Sequence, residues 1–591
     1  MLKCFRLLSC IILLSIIFLQ SIPVNGQKKS PDLYTQTSEM ADPMIQYEAD
    51  KASVLRFYST TGQSEWWMRQ QGSGYNSPER RTRLLKLIAE YESKIKSLPF
   101  ETMNQNGKVD YILFKRNLES EKYNLLEEEK VYSNISMLLP FSDKIYTLQK
   151  PRRRGLNVNG QEVAKELDDI NKLIVTSLTS LKKLDSIESR QANLASDAAK
   201  GLQGTLKDYF NFYNGYDPMF SWWAPKTYLE TDSLLNLFAN TIRKKGRFAN
   251  FQKDDGSGII GQPIGNTELI RQLRYEFINY TPDELVNIAN KEFAWCDAEL
   301  LKASNEMGFG NNWKGALEKV KQTFVAPGRQ PEAMYDLYRQ SVDFLQKNQL
   351  VTLPALSEEA WGMYMMSAER QKVSPFFLGG ESLIISYPTN TMTYDEKMMS
   401  MRGNNPAFSR ATVHHELLAG HHLQFYMNDR HKVYRRFDTP FWLEGNALYW
   451  EFLLWDLKFP RSPEEQIGML FWRMHRCARI IFSLNYHLGK WTPQQCIDFL
   501  VDRVGHERAN AEGEVRRSFT GGYGPLYQIA YMIGGLQFRA LKKELVDSGK
   551  MTYKQYHDAI LHENNLPIEM LRAILVNEPL TRDYKTLWRF Y

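Results

Sequence analysis

Five of the ten histidines lie between positions 414 and 431, and four of them share the run His414-His415-Glu416-Leu417-Leu418-Ala419-Gly420-His421-His422 with one glutamate. Residues of these types can hold a metal ion and move a proton. Hydrolysis of an amide needs a strong nucleophile and a polarised carbonyl. Zinc supplies both, by acidifying water and by acting as a Lewis acid. Catalytic zinc sites commonly take three protein ligands, neutral imidazole among them, and leave one position open. A carboxylate beside the first histidine can receive a proton from water and pass it to the leaving amine. His415 and Glu416 fit the first ligand and that base.

The spacing is unusual for such a site. The pattern H-E-x-x-H puts histidines at i and i+4 on one helical face. Here the next histidine is His421, at i+6, which in an ideal helix lies about 120° from His415. His422, at i+7, returns to the same face but sits about 10 Å further along the axis. A straight helix cannot bring either one to an ion shared with His415. The run is therefore a widened or kinked site, with Gly420 a suitable place for the distortion, or a polar helix face with satisfied core histidines.

A second run, Phe441-Trp442-Leu443-Glu444-Gly445-Asn446-Ala447-Leu448-Tyr449-Trp450-Glu451, reads as an aromatic-rich helix. Glu444, Ala447, Leu448 and Glu451 share one face of it. Two carboxylates on an otherwise apolar face are costly unless paired with cations or a metal. Glu444 is the candidate third ligand. Glu451, two turns on, is the candidate to orient a histidine or to close a salt bridge behind it. The plainer alternative is that Glu444 is favoured by its place near a helix N-terminus.

The elements that must position these residues are helical. Leu84, Leu85, Leu87, Ile88 and Tyr91 recur at helical spacing, as do Tyr111, Phe114 and Leu118. From Val163 to Leu206 the pattern runs on, with breakers only near its end at Gly201 and Gly204. Breakers also cluster at Gly215-Tyr216-Asp217-Pro218, Asp254-Asp255-Gly256-Ser257-Gly258 and Gly261-Gln262-Pro263, which mark loops. Thr281 and Pro282 have the form of an N-cap and first helical position, and Pro331 marks another helix start. The segment Glu381–Pro388, which follows Gly379-Gly380, reads as a strand or a buried extended loop. The expected fold is mostly α: a large helical bundle enclosing a deep cleft, with a small β element next to the helix that carries His415. A segment over 27–75 precedes one helical domain over 76–591, whose motif-bearing part spans about 375–591.

The first 26 residues are expected to leave the fold. Lys3 and Arg6 make a basic start, Leu7 to Leu19 an apolar run, and Val24-Asn25-Gly26 a permissive end. That is the layout of a secretory signal peptide. The alternatives are a membrane anchor, for which the run is short, and lipid attachment through Leu7-Leu8-Ser9-Cys10. No later stretch is apolar enough to span a bilayer, so no integral membrane segment is expected in the mature chain. The formal charge of +6 falls to about +4 without Lys3 and Arg6, and no dense basic stripe points to nucleic acid. Cys296, Cys477 and Cys496 are too scattered for a disulfide framework or a thiolate zinc site.

The chain resembles a bacterial family, domain of unknown function 885, placed among metallopeptidases of the gluzincin type. Its hallmark H-E-x-x-P-G-H-H-L-Q is similar to His415-Glu416-Leu417-Leu418-Ala419-Gly420-His421-His422-Leu423-Gln424, and its E-G-W-A-L-Y-x-E to Glu444–Glu451. Two further blocks look similar: Glu514-Val515-Arg516-Arg517, and Pro525 to Gly534 through Tyr527, Gln528 and Tyr531. The resemblance implies His415, His421 and Glu444 as ligands of one zinc ion and Glu416 as the base. It makes Tyr531 a candidate donor to a developing oxyanion, or else a core aromatic. Arg517 becomes a candidate to bind a substrate carboxylate, or else a salt-bridge partner of Glu514 or Glu451. His422 and Tyr387 are candidates to support the ligands or line the substrate site. Two departures stand out: Ala419 replaces the usual proline, and Asn446 the usual tryptophan. The expectation is an exported, periplasmic or secreted zinc hydrolase acting on a peptide or small amide. The alternatives are a catalytically silent peptide- or metal-binding protein of the same fold, and a metallohydrolase of non-peptide amides or esters.

Overall fold

Ser77 accepts the Arg80 amide and Pro78 fills the first helical position, so the chain enters the helix Pro78–Lys96 where its apolar spacing begins. Thr281 and Glu284 close a capping box over Pro282–Glu306, and Pro331 lies in the first turn of Gln330–Lys347. These local signals hold across the computed structural model, which describes residues 36–58, 77–247, 254–371, 376 and 378–591. The leader expected over 1–26 lies outside the described residues. The fold is mostly α, with 69% helix and 2% strand. Among the described residues no helix is long and apolar enough to cross a membrane.

The helices build two hydrophobic cores. One draws on Ile135 to Ile242, through the helices Ser142–Arg152, Gly160–Lys183, Ser189–Tyr213 and Pro218–Lys245. The other takes in most of the remaining elements. The pattern from Val163 to Leu206 is not one helix. It breaks between Lys183 and Ser189, where Leu184 turns extended and the Glu188 carboxylate accepts the Arg190 and Gln191 amides to start the next helix. Gly201 and Gly204 lie inside that second helix. A glycine costs a helix only about 1 kcal/mol, which apolar burial offsets, whereas a capping side chain sets a boundary.

Within the larger core, the helix Pro463–His487 is buried on nearly every face and is therefore interior to the bundle. It packs against Pro282–Glu306, Pro406–Glu416 and Tyr527–Leu545. The small β element is present: Gly362–Met365 pairs in parallel with Ser382–Ile385. The other side of that strand is held by a bridge from Ile384 to Leu378. Cys296, Cys477 and Cys496 are free and buried.

Candidate metal centre

The Pro406–Glu416 helix starts at Asn405, whose side chain accepts the Phe408 amide. It ends at Glu416 and does not continue through His421. The chain leaves helical geometry from Leu417 to Gly420, where the Leu418–Ala419 peptide is cis, and a new helix runs over His421–Asn428. The i+6 misfit is thus met by a full break, not by a widened turn. Gly420 permits it: a Cβ there would lie 1.8 Å from the His415 carbonyl oxygen. The chain doubles back over the last turn of the first helix, and the His415 and His421 rings meet edge to face at 4.9 Å.

Glu444 arrives from Pro440–Asp456, a helix capped by Thr439 and opened by Pro440. Gly445 seats this helix. A Cβ there would lie 2.5 Å from the Gly534 Cα, and one on Gly534 2.2 Å from the Phe441 carbonyl oxygen. The helices Pro440–Asp456 and Tyr527–Leu545 therefore cross backbone to backbone, which brings Tyr527 and Tyr531 to the face that carries Glu444.

Glu444 Oε2 lies 3.4 Å from His415 Nε2 and 3.3 Å from His421 Nε2. One ligand atom from each of the three lies within 4.8 Å of the others, and among the described residues this is the one group of His, Cys, Asp or Glu so placed. All three residues are buried. The two imidazole contacts are not aligned as hydrogen bonds, so Glu444 Oε2 has no donor. A buried acceptor left so costs about 1–3 kcal/mol, more when charged. Burial would raise the Glu444 carboxyl, but His421 and then His415 outweigh it and hold it well below 4.5. Burial would lower His421, but Glu444 outweighs it and raises the ring to about 9. An anionic oxygen facing two Nε2 atoms in a buried site is the donor set a divalent cation takes, and it fits zinc in particular.

Each of the three residues is held from behind. His415 Nδ1 is 2.7 Å from Glu451 Oε1, and Arg476 stands 3.5 Å from that same oxygen. His421 Nδ1 is 3.0 Å from Gln424 Oε1, while Gln424 Nε2 donates to Asn446 Oδ1 and to the Leu443 carbonyl, each at 3.0 Å. Asn446 and the Leu443 carbonyl thus set which way the Gln424 amide faces, and through it His421. The Tyr527 hydroxyl donates to Glu444 Oε1, which leaves Oε2 turned to the histidines. Removing that donor by Tyr527→Phe should weaken zinc binding by about 10–100-fold. Competition with a chromophoric chelator reads this directly, and an unchanged affinity would remove Tyr527 from the support of Glu444.

Glu416 is half-buried, and burial raises its carboxyl above 4.5. Gly379 lies against it: a Cβ there would be 2.3 Å from Glu416 Oε2. His422 is not with the ligands. Its Nδ1 is 3.2 Å from the Gly380 carbonyl and its Nε2 2.8 Å from that of Ser357, so it ties down the Gly379-Gly380 segment that backs Glu416. His414 packs on Phe459, and burial lowers it to about 4. Tyr531 stacks on the His415 ring at 6.1 Å. Arg517 stands 3.6 Å from Glu514, and the Tyr387 hydroxyl accepts the Gly328 amide.

Tyr527, Arg476 and Arg479 are the members of this neighbourhood that the spacing of residues did not single out. Tyr527 and Tyr531 are four apart on one helix face. Arg473, Arg476 and Arg479 recur every third residue through a largely buried helix, a pattern that signals internal charge pairing. A cavity of about 1230 Å³ opens beside the centre, lined on this side by Phe425, Leu443 and Tyr527 and further out by Arg436 and Asp438.

Two solved structures share the fold. One is from Shewanella oneidensis, described as a "putative lipoprotein of unknown function": 15% identity, TM-score 0.64, covering 91% of this chain and 100% of that one. The other, from Colwellia psychrerythraea, is described as a "putative lipoprotein": 15% identity, TM-score 0.57, covering 91% and 98%. No curated protein matches this chain. Residues 70–575 match the family described as "Bacterial protein of unknown function (DUF885)", and the chain belongs to that family.

Proposed function

We propose that this protein is an exported zinc-dependent hydrolase that cleaves peptide bonds, with His415, His421 and Glu444 as the ligands and Glu416 as the general base. The observation that carries the reading is the convergence of three ligand atoms within 4.8 Å, each residue anchored through its other polar atom. A zinc ion there supplies Lewis acidity toward water and a substrate carbonyl.

The remaining roles belong to side chains. Glu416 adjoins His415 but is not among the three. With its carboxyl raised by burial, it is suited to take a proton from water and hand it to the leaving amine. Glu451 and Gln424 keep each Nδ1 engaged, so that each Nε2 faces Glu444. Tyr527 is committed to Glu444, which leaves Tyr531, one turn further on, as the hydroxyl to donate to a developing oxyanion. Export rests on the basic, apolar and permissive order of residues 1–26 and accords with the lipoprotein descriptions of the two structural neighbours. The cavity beside Tyr527 has the size to admit a peptide.

Metal analysis tests the site. The purified protein should carry one zinc ion per chain, and His415→Ala and Glu444→Ala should each lose it. Unchanged zinc in both variants would sink the assignment. Incubation with a mixed peptide library, with and without a chelator, tests the activity. If nothing is cleaved in a chelator-sensitive way, a protein that binds without turnover becomes the better reading.

A further inference from the structure

Behind Tyr531 lies a cluster of buried cations that the hydrolytic roles do not use. The Tyr531 ring, stacked on His415, also has the guanidinium of Arg476 at 4.5 Å and that of Arg479 at 4.3 Å. Arg517 stands on the same side, over the Tyr523 ring at 4.8 Å, and Tyr523 in turn meets Tyr527 at 4.5 Å. Three guanidinium groups therefore crowd the flank of the centre, and each is more than nine-tenths buried.

Two carboxylates answer them. Glu451 is shared between Arg476 and His415. Glu514 Oε1 accepts from Arg479 Nε at 2.7 Å, while Glu514 Oε2 is 3.6 Å from Arg517 Nε, beyond hydrogen-bond reach. The cluster keeps an excess of one positive charge. It also keeps unspent donors: Arg479 Nη1 and Arg517 Nε are buried with no partner. His475 adds nothing to that excess, because burial and then the neighbouring arginines hold it well below 6.5. Buried guanidinium groups with free N–H bonds are costly to keep and are built to meet an anion, a planar carboxylate best of all.

The position of the cluster narrows which anion. One aromatic ring separates it from His415, and one residue of extended chain spans about 3.3–3.6 Å. A substrate anion held there would lie within a residue or two of the bond to be cleaved. The cavity reaches Gly524 and Tyr527, next to the tyrosine over which Arg517 lies.

We propose that Arg517 and Arg479 bind the free C-terminal carboxylate of a short peptide, so that this protein removes residues from peptide C-termini. This rests on the peptidase reading above. The shared chemistry is a carboxylate close to the scissile bond; the other source is an aspartate or glutamate side chain of the substrate.

The test uses matched peptides that differ only in ending as a free acid or an amide, and a third set, amidated, with aspartate or glutamate after the scissile bond. The wild-type protein should favour the acid over the amide by roughly 10–100-fold in kcat/KM, mostly through KM. Arg517→Met should collapse that ratio toward one, and Arg517→Lys should restore part of it. Equal cleavage of acid and amide overturns the proposal. So does an Arg517→Met that lowers both equally, or an amidated acidic peptide cleaved as well as the free acid. Calorimetry on chelator-treated protein, titrated with an N-acetylated dipeptide acid or its amide, removes metal coordination as an explanation. Binding of the acid alone supports the arginine site, and equal or absent binding of both overturns it. Absence of chelator-sensitive cleavage of every peptide would defeat the peptidase reading, while calorimetry still decides the carboxylate site.

Discussion

Glu416→Gln should lower chelator-sensitive peptide cleavage by about 10²–10⁴-fold while the zinc content stays at that of the wild-type protein. The substitution keeps the shape of the side chain, which matters because Gly379 leaves it little room. It removes only the ability to accept and release a proton. Glu416 is next to His415 but outside the ligand group, so the donor atoms for the ion are untouched. Burial raises the carboxyl, which makes it a stronger base than an exposed glutamate and so enlarges the loss. Parallel measurement of turnover and zinc separates the outcomes. Full retained turnover removes Glu416 as the base. Loss of turnover together with zinc would make it part of the metal binding instead.

Gly420→Ala should disable the centre from within the backbone. The added methyl would sit 1.8 Å from the His415 carbonyl oxygen and 2.6 Å from that of His414. Neither atom can move without unwinding the last turn of Pro406–Glu416, the turn that carries His415 and Glu416. Overpacking against fixed backbone costs on the order of 3 kcal/mol or more. The chain can relieve it only by moving His421–Asn428 away. Zinc affinity should therefore fall by at least about 100-fold, and stability to urea should fall with it. A Gly420→Ala protein with wild-type zinc affinity would show that the reversal of chain direction does not set the position of His421. Gly522 is a control: a Cβ there meets nothing within 4 Å, and the backbone has φ +82°, so Gly522→Asn should leave zinc binding unchanged.

Much of this was legible before folding was considered. Apolar spacing pointed to Pro78–Lys96, and caps or first-turn prolines pointed to Pro282–Glu306 and Gln330–Lys347, because such signals are local. Glu444 and Glu451 announced themselves as two carboxylates on an apolar helix face, and Glu451 does reach His415. The break within Val163–Leu206 was not legible, because the glycines there were weaker signals than the side chain of Glu188.

Residue types and short-range spacing were enough to nominate the ligands, the base and a mostly helical fold. Spacing also showed that no straight helix could join His415 to His421, since a helix fixes angle and rise per residue. How the misfit is resolved was a tertiary matter. The reversal at Leu417–Gly420 depends on a carbonyl five residues earlier lying where a side chain would be. The approach of Tyr527 to Glu444 depends on two glycines meeting across helices almost ninety residues apart in the chain. The separate directions of two adjacent histidines, His421 toward Glu444 and His422 toward Gly380 and Ser357, follow from which neighbours surround the second helix. The last two of these join distant residues, and no local pattern encodes them.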